Sequence, residues 1–341
     1  MSRAPLTASA SPPLAPPAGA ILAGRRRDRV GSWPLLDRLA FGLCWAVGVG
    51  LCVVTLAMVG FMLVKGVSYL SLSLLVTHPN AAPDQARSGG ILDPIEGTLL
   101  LTAIGIAIAA PLGVAVAVWL SEHKRPAWLA RAVESSIEMI AGAPSVLLAF
   151  FGLILFARPA LAFLSQTSAG GSVFGKSFLT AGAIMSLIAL PLVVASTREA
   201  LTQIPSHARE ASYALGKTKV TTIRRVLLPS VRSNIASGMT LGMGRIIGDT
   251  AIVVILLGAT LRLEGAGATP LLSTLRGTGV TLTSYVLSNS PAGEGNAHEK
   301  AYAAAFVLLV LVLVLNVLAL RFGSAGTNGG GRWWRRLAWT R

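Results

Sequence analysis

Six stretches of this chain are almost wholly apolar: residues 39–64, 97–120, 139–157, 177–197, 233–261 and 301–320. Each is long enough to cross the hydrocarbon core of a bilayer, about 30 Å thick, as a helix. Only the fifth carries charge, at Arg245 and Asp249. The runs lack the short in-out alternation of barrel strands, and a helix satisfies its own backbone hydrogen bonds where no water is present. The pattern predicts an all-α, polytopic membrane protein with six transmembrane helices. Pro111, Pro144 and Pro191 fall inside spans and each frees a carbonyl one turn earlier, so kinks are expected there. Pro144 belongs to a run from Glu138 through Gly142 and Ala143 to Val146, a charged entry followed by small residues. Irregular backbone at that place is expected to line a cavity.

Composition agrees: 53% of residues are hydrophobic, 13% are charged and the mean hydropathy is +0.67. The net charge is +15, and of the 29 Lys and Arg, 21 lie in the N-terminal tail, around Lys124, between Arg198 and Arg232, and in the C-terminal tail. By the positive-inside rule those segments and both termini are cytoplasmic. Basic residues spread over short loops at helix ends suit an anionic leaflet, so membrane lipid is the expected partner and nucleic acid is not. The chain then divides into a disordered Ala/Pro/Ser-rich cytoplasmic tail (1–31), a first helix with an external connection (32–90), a transmembrane domain (91–320) whose cytoplasmic loop covers 198–232, and a basic cytoplasmic tail (321–341). Cys44 and Cys52 are about 12 Å apart along one helix, too far to pair with each other. His78, His123, His207 and His298 are scattered, and no Cys/His spacing matches a metal site.

Three segments carry candidate chemistry. Residues 209–229 form a basic, amphipathic stretch between two spans. Arg209 to Leu215 reads as a helix with charged and apolar sides, Gly216 as a left-handed turn, and the run from Lys217 as a second helix ending at Pro229. Such a helix-turn-helix on a membrane surface suits docking into a groove of a soluble partner, with Glu210 near a helix start and Ala211 and Gly216 allowing close approach. A solvated basic loop is the plainer reading. In the fifth span, Gly238 with Gly242 and Gly244 with Gly248 are small-residue pairs at one-turn spacing, suited to close helix packing. Arg245 and Asp249 are also one turn apart and are expected to pair. Intramembrane charge costs about 2.5 to 3.5 kcal/mol per residue, so the pair is either a structural bridge or part of an anion pathway in which Arg245 offers its planar fork to an oxyanion. Glu134 and Glu138 read as a solvated interfacial pair. Finally, Gly170-Gly-Ser-Val-Phe-Gly-Lys-Ser177 fits the P-loop spacing, but no strand precedes it and the topology places it outside, so it is not read as a nucleotide site. No Ser-His-Asp or Cys-His arrangement is present, and no catalytic site is assigned.

The loop also resembles the cytoplasmic loop of ATP-binding-cassette (ABC) importer permeases: Glu210, Ala211, Gly216, Leu228 and Pro229 keep the register, with Ser212 and Val226 as small departures. The opening Gly89-Gly-Ile-Leu, the 138–152 stretch, Arg198-Glu-Ala-Leu-Thr-Gln-Ile-Pro205, Arg245-Ile-Ile-Gly-Asp-Thr250 and Ala301-Tyr-Ala-Ala-Ala305 together resemble the PstA-type permeases of bacterial phosphate importers. The likeness covers residues 89–320. The PstC-type permeases are similar, and single pieces recur in permeases for molybdate and sulfate. Asp249 stands where the family usually has Glu, Leu148 where it has Tyr, and Ala149 where it has Gly.

The resemblance implies the type I ABC importer permease fold and a multi-pass subunit of a bacterial inner membrane. It implies a PstC-type second permease, a PstB-type cytoplasmic ATPase dimer and an external PstS-type phosphate-binding protein. The subunit itself would be no enzyme and would hold no cofactor, ATP and Mg being bound by the ATPase. Glu210, Ala211, Gly216, Leu228 and Pro229 would form the ATPase coupling loop, and Arg245 and Asp249 the substrate pathway. A permease for another oxyanion such as molybdate or sulfate, a secondary transporter driven by an ion gradient, and a membrane scaffold remain open at this point.

Overall fold

The computed structural model describes residues 35–79, 89–123, 126–165, 174–258, 274–291, 293 and 297–324. The expected N-terminal tail and nearly all of the basic C-terminal tail lie outside them. Regular structure among the described residues is helical: α1 (Leu35–Ser68), α2 (Leu72–Val76), α3 (Leu92–Glu122), α4 (Ala127–Gly142), α5 (Ser145–Phe156), α6 (Phe178–Thr202), α7 (Ser206–Ala214), α8 (Lys219–Thr222), α9 (Leu228–Gly248), α10 (Leu282–Asn289) and α11 (His298–Ser324). A 3-10 turn follows α5 at Pro159–Leu164, and π-helical turns occupy Ile223–Leu227 and Val253–Leu257.

Helices α1, α3, α6 and α11 are long and apolar enough to span a membrane, and α4 with α5 makes a fifth if the bent pair is one crossing. The third expected span is thus two helices meeting at 108°. Its cause is local: Pro144 drives the preceding Ala143 into extended backbone (φ −70°, ψ 134°), and Pro144 itself is extended (φ −60°, ψ 131°) before α5 begins. Pro111 and Pro191, by contrast, lie inside continuous α3 and α6. The fifth expected span corresponds to α9 followed by the π turn at Val253–Leu257. Arg232, Arg245 and its Ser, Asn and Gly residues leave α9 less apolar than the spans around it.

The chain divides into two compact units, Met1–Gly60 and Phe61–Arg341. Within the first, α1 is exposed on every side, and Cys44 and Cys52 are free thiols. Within the second, α6 is the central helix, with 67% of its most apolar window buried against α3, α5 and α9. Contact is close enough that a Cβ on Gly182 would stand 2.5 Å from Ile104 Cγ2 of α3. Met185, Ala189, Ile246, Ile252 and Leu256 fill the centre, together with the departing residue Ala149. The end of α1 meets α11, where Phe61 and Tyr302 stack edge to face at 5.8 Å.

The ends of α3 and α6 distant from the basic loop are fastened by capping. Ser177 and Thr180 form a reciprocal capping box at the start of α6. Thr98 of α3 accepts the Leu282 N–H at 2.9 Å and donates to the Pro94 carbonyl, which ties α10 to α3. Asp93, almost fully buried, meets His78 Nδ1 at 2.6 Å. Nearby, a polar cavity of about 350 Å³ is bounded by Tyr69, Ser71, Ser73, Thr77, Gly89, Glu299 and Lys300. The Tyr69 phenol there is raised above its ordinary pKa, first by its hydrogen bond to Glu299 and then by that residue's charge.

Candidate functional site

The basic loop folds as α7, a turn at Gly216, α8, and a π turn that runs into α9. Pro205 precedes α7 in extended backbone (φ −60°, ψ 147°) and accepts the Ala208 N–H through its carbonyl, and no side chain caps the helix start. Gly216 has φ +72°, and its N–H donates to Tyr213 while that of Lys217 donates to Ser212, closing the helix end. Nothing lies within 4 Å of a Cβ added there, so within this chain the glycine is required by handedness and not by crowding. Thr218 then caps α8 through the Thr221 N–H. The second helical run does not end at Pro229, as its position suggested. Pro229 sits near the start of α9, directly after the π turn at Ile223–Leu227, and the helix runs on past it to Gly248.

Glu210, Ala211, Gly216 and Pro229 are exposed, and Leu228 is half-buried. Between them Leu215 (78% exposed), Val220 (72%) and Tyr213 present apolar surface outward. The opposite side is built into the protein. Buried Ser212 and Thr222 share a hydroxyl–hydroxyl bond of 2.9 Å that joins α7 to α8. Arg209 donates from Nε and Nη2 to Glu122 Oε1 at 3.1 and 3.0 Å, from Nη1 to the Ile204 carbonyl at 2.8 Å and from Nη2 to the Leu201 carbonyl at 2.9 Å. Lys219 donates to the Glu122 carbonyl at 2.5 Å. Glu134 is not half of a solvated pair with Glu138: it takes a 2.5 Å ion pair from Arg198 of α6, while Glu138 is exposed. Sequence reading missed Glu122 as a support of the loop and the Arg198–Glu134 tie between α6 and α4, because the partners lie 87 and 64 residues apart.

Arg245 and Asp249 are not paired as expected. The backbone leaves the helix at Asp249 (φ −82°, ψ 125°), which removes the one-turn geometry. Asp249 Oδ1 instead accepts the Ile252 N–H at 3.0 Å and caps the next helical segment. Arg245 is exposed and makes no hydrogen bond or ion pair among the described residues. The two glycine pairs divide between the faces of α9. Gly238 and Gly242 pack on α6, with added Cβ atoms 2.9 Å from Ser196 and 3.2 Å from Ala189, whereas Gly244 and Gly248 meet nothing within 4 Å. Leu241, Arg245 and Gly248 are therefore on an open face of the subunit. Behind them is a narrow crevice between Ile246, Ile247, Thr98, Thr102, Thr281 and Thr283. Its Thr98 and Thr102 hydroxyls already donate to helix carbonyls.

Residues 170–173 of the P-loop lookalike lie outside the described residues. The rest is committed elsewhere: the Ser177 hydroxyl donates to the Leu164 carbonyl at 2.7 Å, the Ser177 N–H to Leu256, and the Phe178 N–H to Gly277. The Ser177 hydroxyl and N–H, two of the donors a phosphate would need, are thus engaged within the chain. Among the described residues no group of three or more His, Cys, Asp or Glu could hold a metal.

Residues 109–324 match the family profile of the binding-protein-dependent transport system inner membrane component. The chain is 30% identical over 244 residues to the phosphate transport system permease protein PstC of Xylella fastidiosa strain 9a5c, covering 68% of this chain and 71% of that one. It is 34% identical over 199 residues to the probable ABC transporter permease protein YqgH of Bacillus subtilis strain 168, covering 58% and 61%. In three dimensions it superposes with a TM-score of 0.56, at 16% identity, on a chain of a bacterial alginate ABC transporter solved with an alginate pentasaccharide-bound periplasmic protein. That match covers 83% of this chain and 93% of the other, and the fold is that of type I ABC importer permeases.

Proposed function

The chain belongs to the binding-protein-dependent transport system inner membrane component family, and within it we propose that this subunit conducts inorganic phosphate inward in an ATP-driven importer. The observation that carries the substrate is the 30% identity, over two thirds of both chains, to a permease named for phosphate transport. Arg245 on the open face of α9 supports it, since an always-charged guanidinium forks naturally onto an oxyanion.

In this reading a second permease covers the face of α9 that holds Arg245, Gly244 and Gly248, and the pathway runs between the two. A cytoplasmic ATPase dimer holding ATP and Mg grips Glu210, Ala211, Gly216, Leu228, Pro229 and the apolar Leu215 and Val220. An external phosphate-binding protein delivers the anion. Closure of the ATPase draws the loops together and turns the permease pair outward, and hydrolysis resets it. Arg245 lowers the barrier for a desolvated anion without holding it tightly, because a deep well would slow release. Both termini and the loop face the cytoplasm. Asp249 bounds the pathway through its cap and not through a pair with Arg245.

The test is reconstitution of the four-component complex in proteoliposomes. Radiolabelled phosphate should accumulate with ATP, unaffected by collapse of ion gradients or by excess sulfate or molybdate, and Arg245→Leu should reduce uptake at least about tenfold. Uptake of sulfate or molybdate in place of phosphate would overturn the assignment. A second reading concerns which permease of the pair this is. The Gly89–Leu92 opening and the Ala301–Ala305 run favour the PstA side, and the name of the Xylella relative favours PstC. Pairwise co-purification decides it: a PstA-type subunit assembles with PstC and not with a second PstA.

A further inference from the structure

The joint between the basic loop and the membrane helices has more to it than a docking surface needs. Glu122 ends α3, and its side chain is only 8% exposed although it carries a carboxylate. One oxygen of that carboxylate takes two N–H donors from Arg209, and the same guanidinium reaches the carbonyls of Leu201 in the last turn of α6 and Ile204 just after it. The Glu122 carbonyl, one of the orphan acceptors that close α3, takes the ammonium of Lys219 from α8. One residue of α3 is therefore bonded to both arms of the loop through its side chain and its backbone. Beside it Val118 of α3, Leu201 of α6, and Leu227 and Val231 pack into one apolar cluster. Surface ion pairs between long side chains are usually loose, but this one is shielded and fixed at four points by one planar group.

We propose that Glu122 is a positioning residue which, through Arg209 and Lys219, makes the loop, the end of α3 and the end of α6 a single rigid lever. Displacement imposed on the exposed face of the loop then reaches the membrane helices without slack. The inference rests on the proposed ATP-driven function, since a lever needs a motor. It differs from docking: the docking residues apart from Leu228 are exposed, whereas Glu122 and Arg209 are turned into this chain and bonded to it.

The experiment uses the assembled complex, with Cys44 and Cys52 replaced by Ser and spin labels at Ser206→Cys on the loop, outside the docking surface, and Leu112→Cys on α3, both exposed positions. With Glu122 present, the label distance distribution should stay narrow and unchanged between nucleotide-free and ATP-bound states. In Glu122→Gln it should broaden, and phosphate moved per ATP hydrolysed should fall roughly fivefold. Arg209→Lys provides a second variant that keeps the charge opposite Glu122 but cannot reach all three acceptors at once, so it folds without a stranded carboxylate and should broaden the distribution as well. A distribution as narrow in Arg209→Lys as in the unsubstituted complex overturns the lever, as does an unchanged ratio of transport to hydrolysis. A complex that hydrolyses ATP but accumulates no phosphate would count against the substrate assignment alone, because the label distances report on the lever whatever is carried.

Discussion

Asp249 shows how one side chain's role changes with the backbone beneath it. As a helical residue it would be the counter-charge of Arg245; as the residue where α9 stops, it is a cap for the succeeding segment. Asn caps as well as Asp, so Asp249→Asn should leave the thermal unfolding midpoint of the detergent-solubilised complex nearly unchanged, whereas Asp249→Ala should cost about 1 kcal/mol. Asp249→Glu, despite restoring the usual family residue, reaches past the Ile252 N–H and should behave like Ala. If Asn proves worse than Glu in the same melt, the carboxylate serves as a charge and not as a cap. Gly216 gives a parallel case. Its φ of +72° costs an L-residue about 1 to 2 kcal/mol, and Asn suffers least. Gly216→Asn should retain the ATPase in pull-downs, and Gly216→Val should lose most of it. Equal retention by both would mean that the turn's handedness is not what presents the loop.

At the level of elements, α9 separates an inner face from an outer one by the spacing of its glycines. Gly238→Ala would drive a methyl to 2.9 Å from Ser196 Cβ and 3.2 Å from the Val193 backbone, so we expect it to lower the melting temperature of the subunit on its own. Gly244→Ala meets open space and should leave that melt unchanged while weakening association with the second permease, measured by subunit exchange in nanodiscs. Much of this arrangement was legible in the sequence. The apolar runs follow from side-chain hydropathy, the left-handed turn from the freedom of Gly216, and the break from the ring of Pro144. The end of α9 was less legible, because Arg245 and Asp249 at one-turn spacing look like a helical pair. The adjacent Gly248-Asp249-Thr250, a breaker beside a strong capping residue, was the signal to the contrary. The Glu122–Arg209 contact was illegible: nothing local to either residue specifies a partner 87 positions away.

For the whole molecule, the relevant solvent is a slab of fixed thickness, and the bent pair α4–α5 does not fill it. The 12 residues of α5 rise about 18 Å against a hydrocarbon core of about 30 Å. Its partner α4 turns away by 108° and bears the exposed Trp128, Arg131 and Met139, a mixture suited to the headgroup boundary. By contrast α1 has 34 residues, and its length exceeds the slab unless it tilts. The two helices thus differ in how much of the hydrocarbon slab each can cross. The membrane around the subunit should be dented on the α5 side, and straightening that dent does elastic work on the Pro144 bend. Transport in vesicles of graded acyl-chain length should therefore peak in bilayers thinner than those that best fit α1, and a rate flat across the series would mean that neighbouring protein, not lipid, lies against α5.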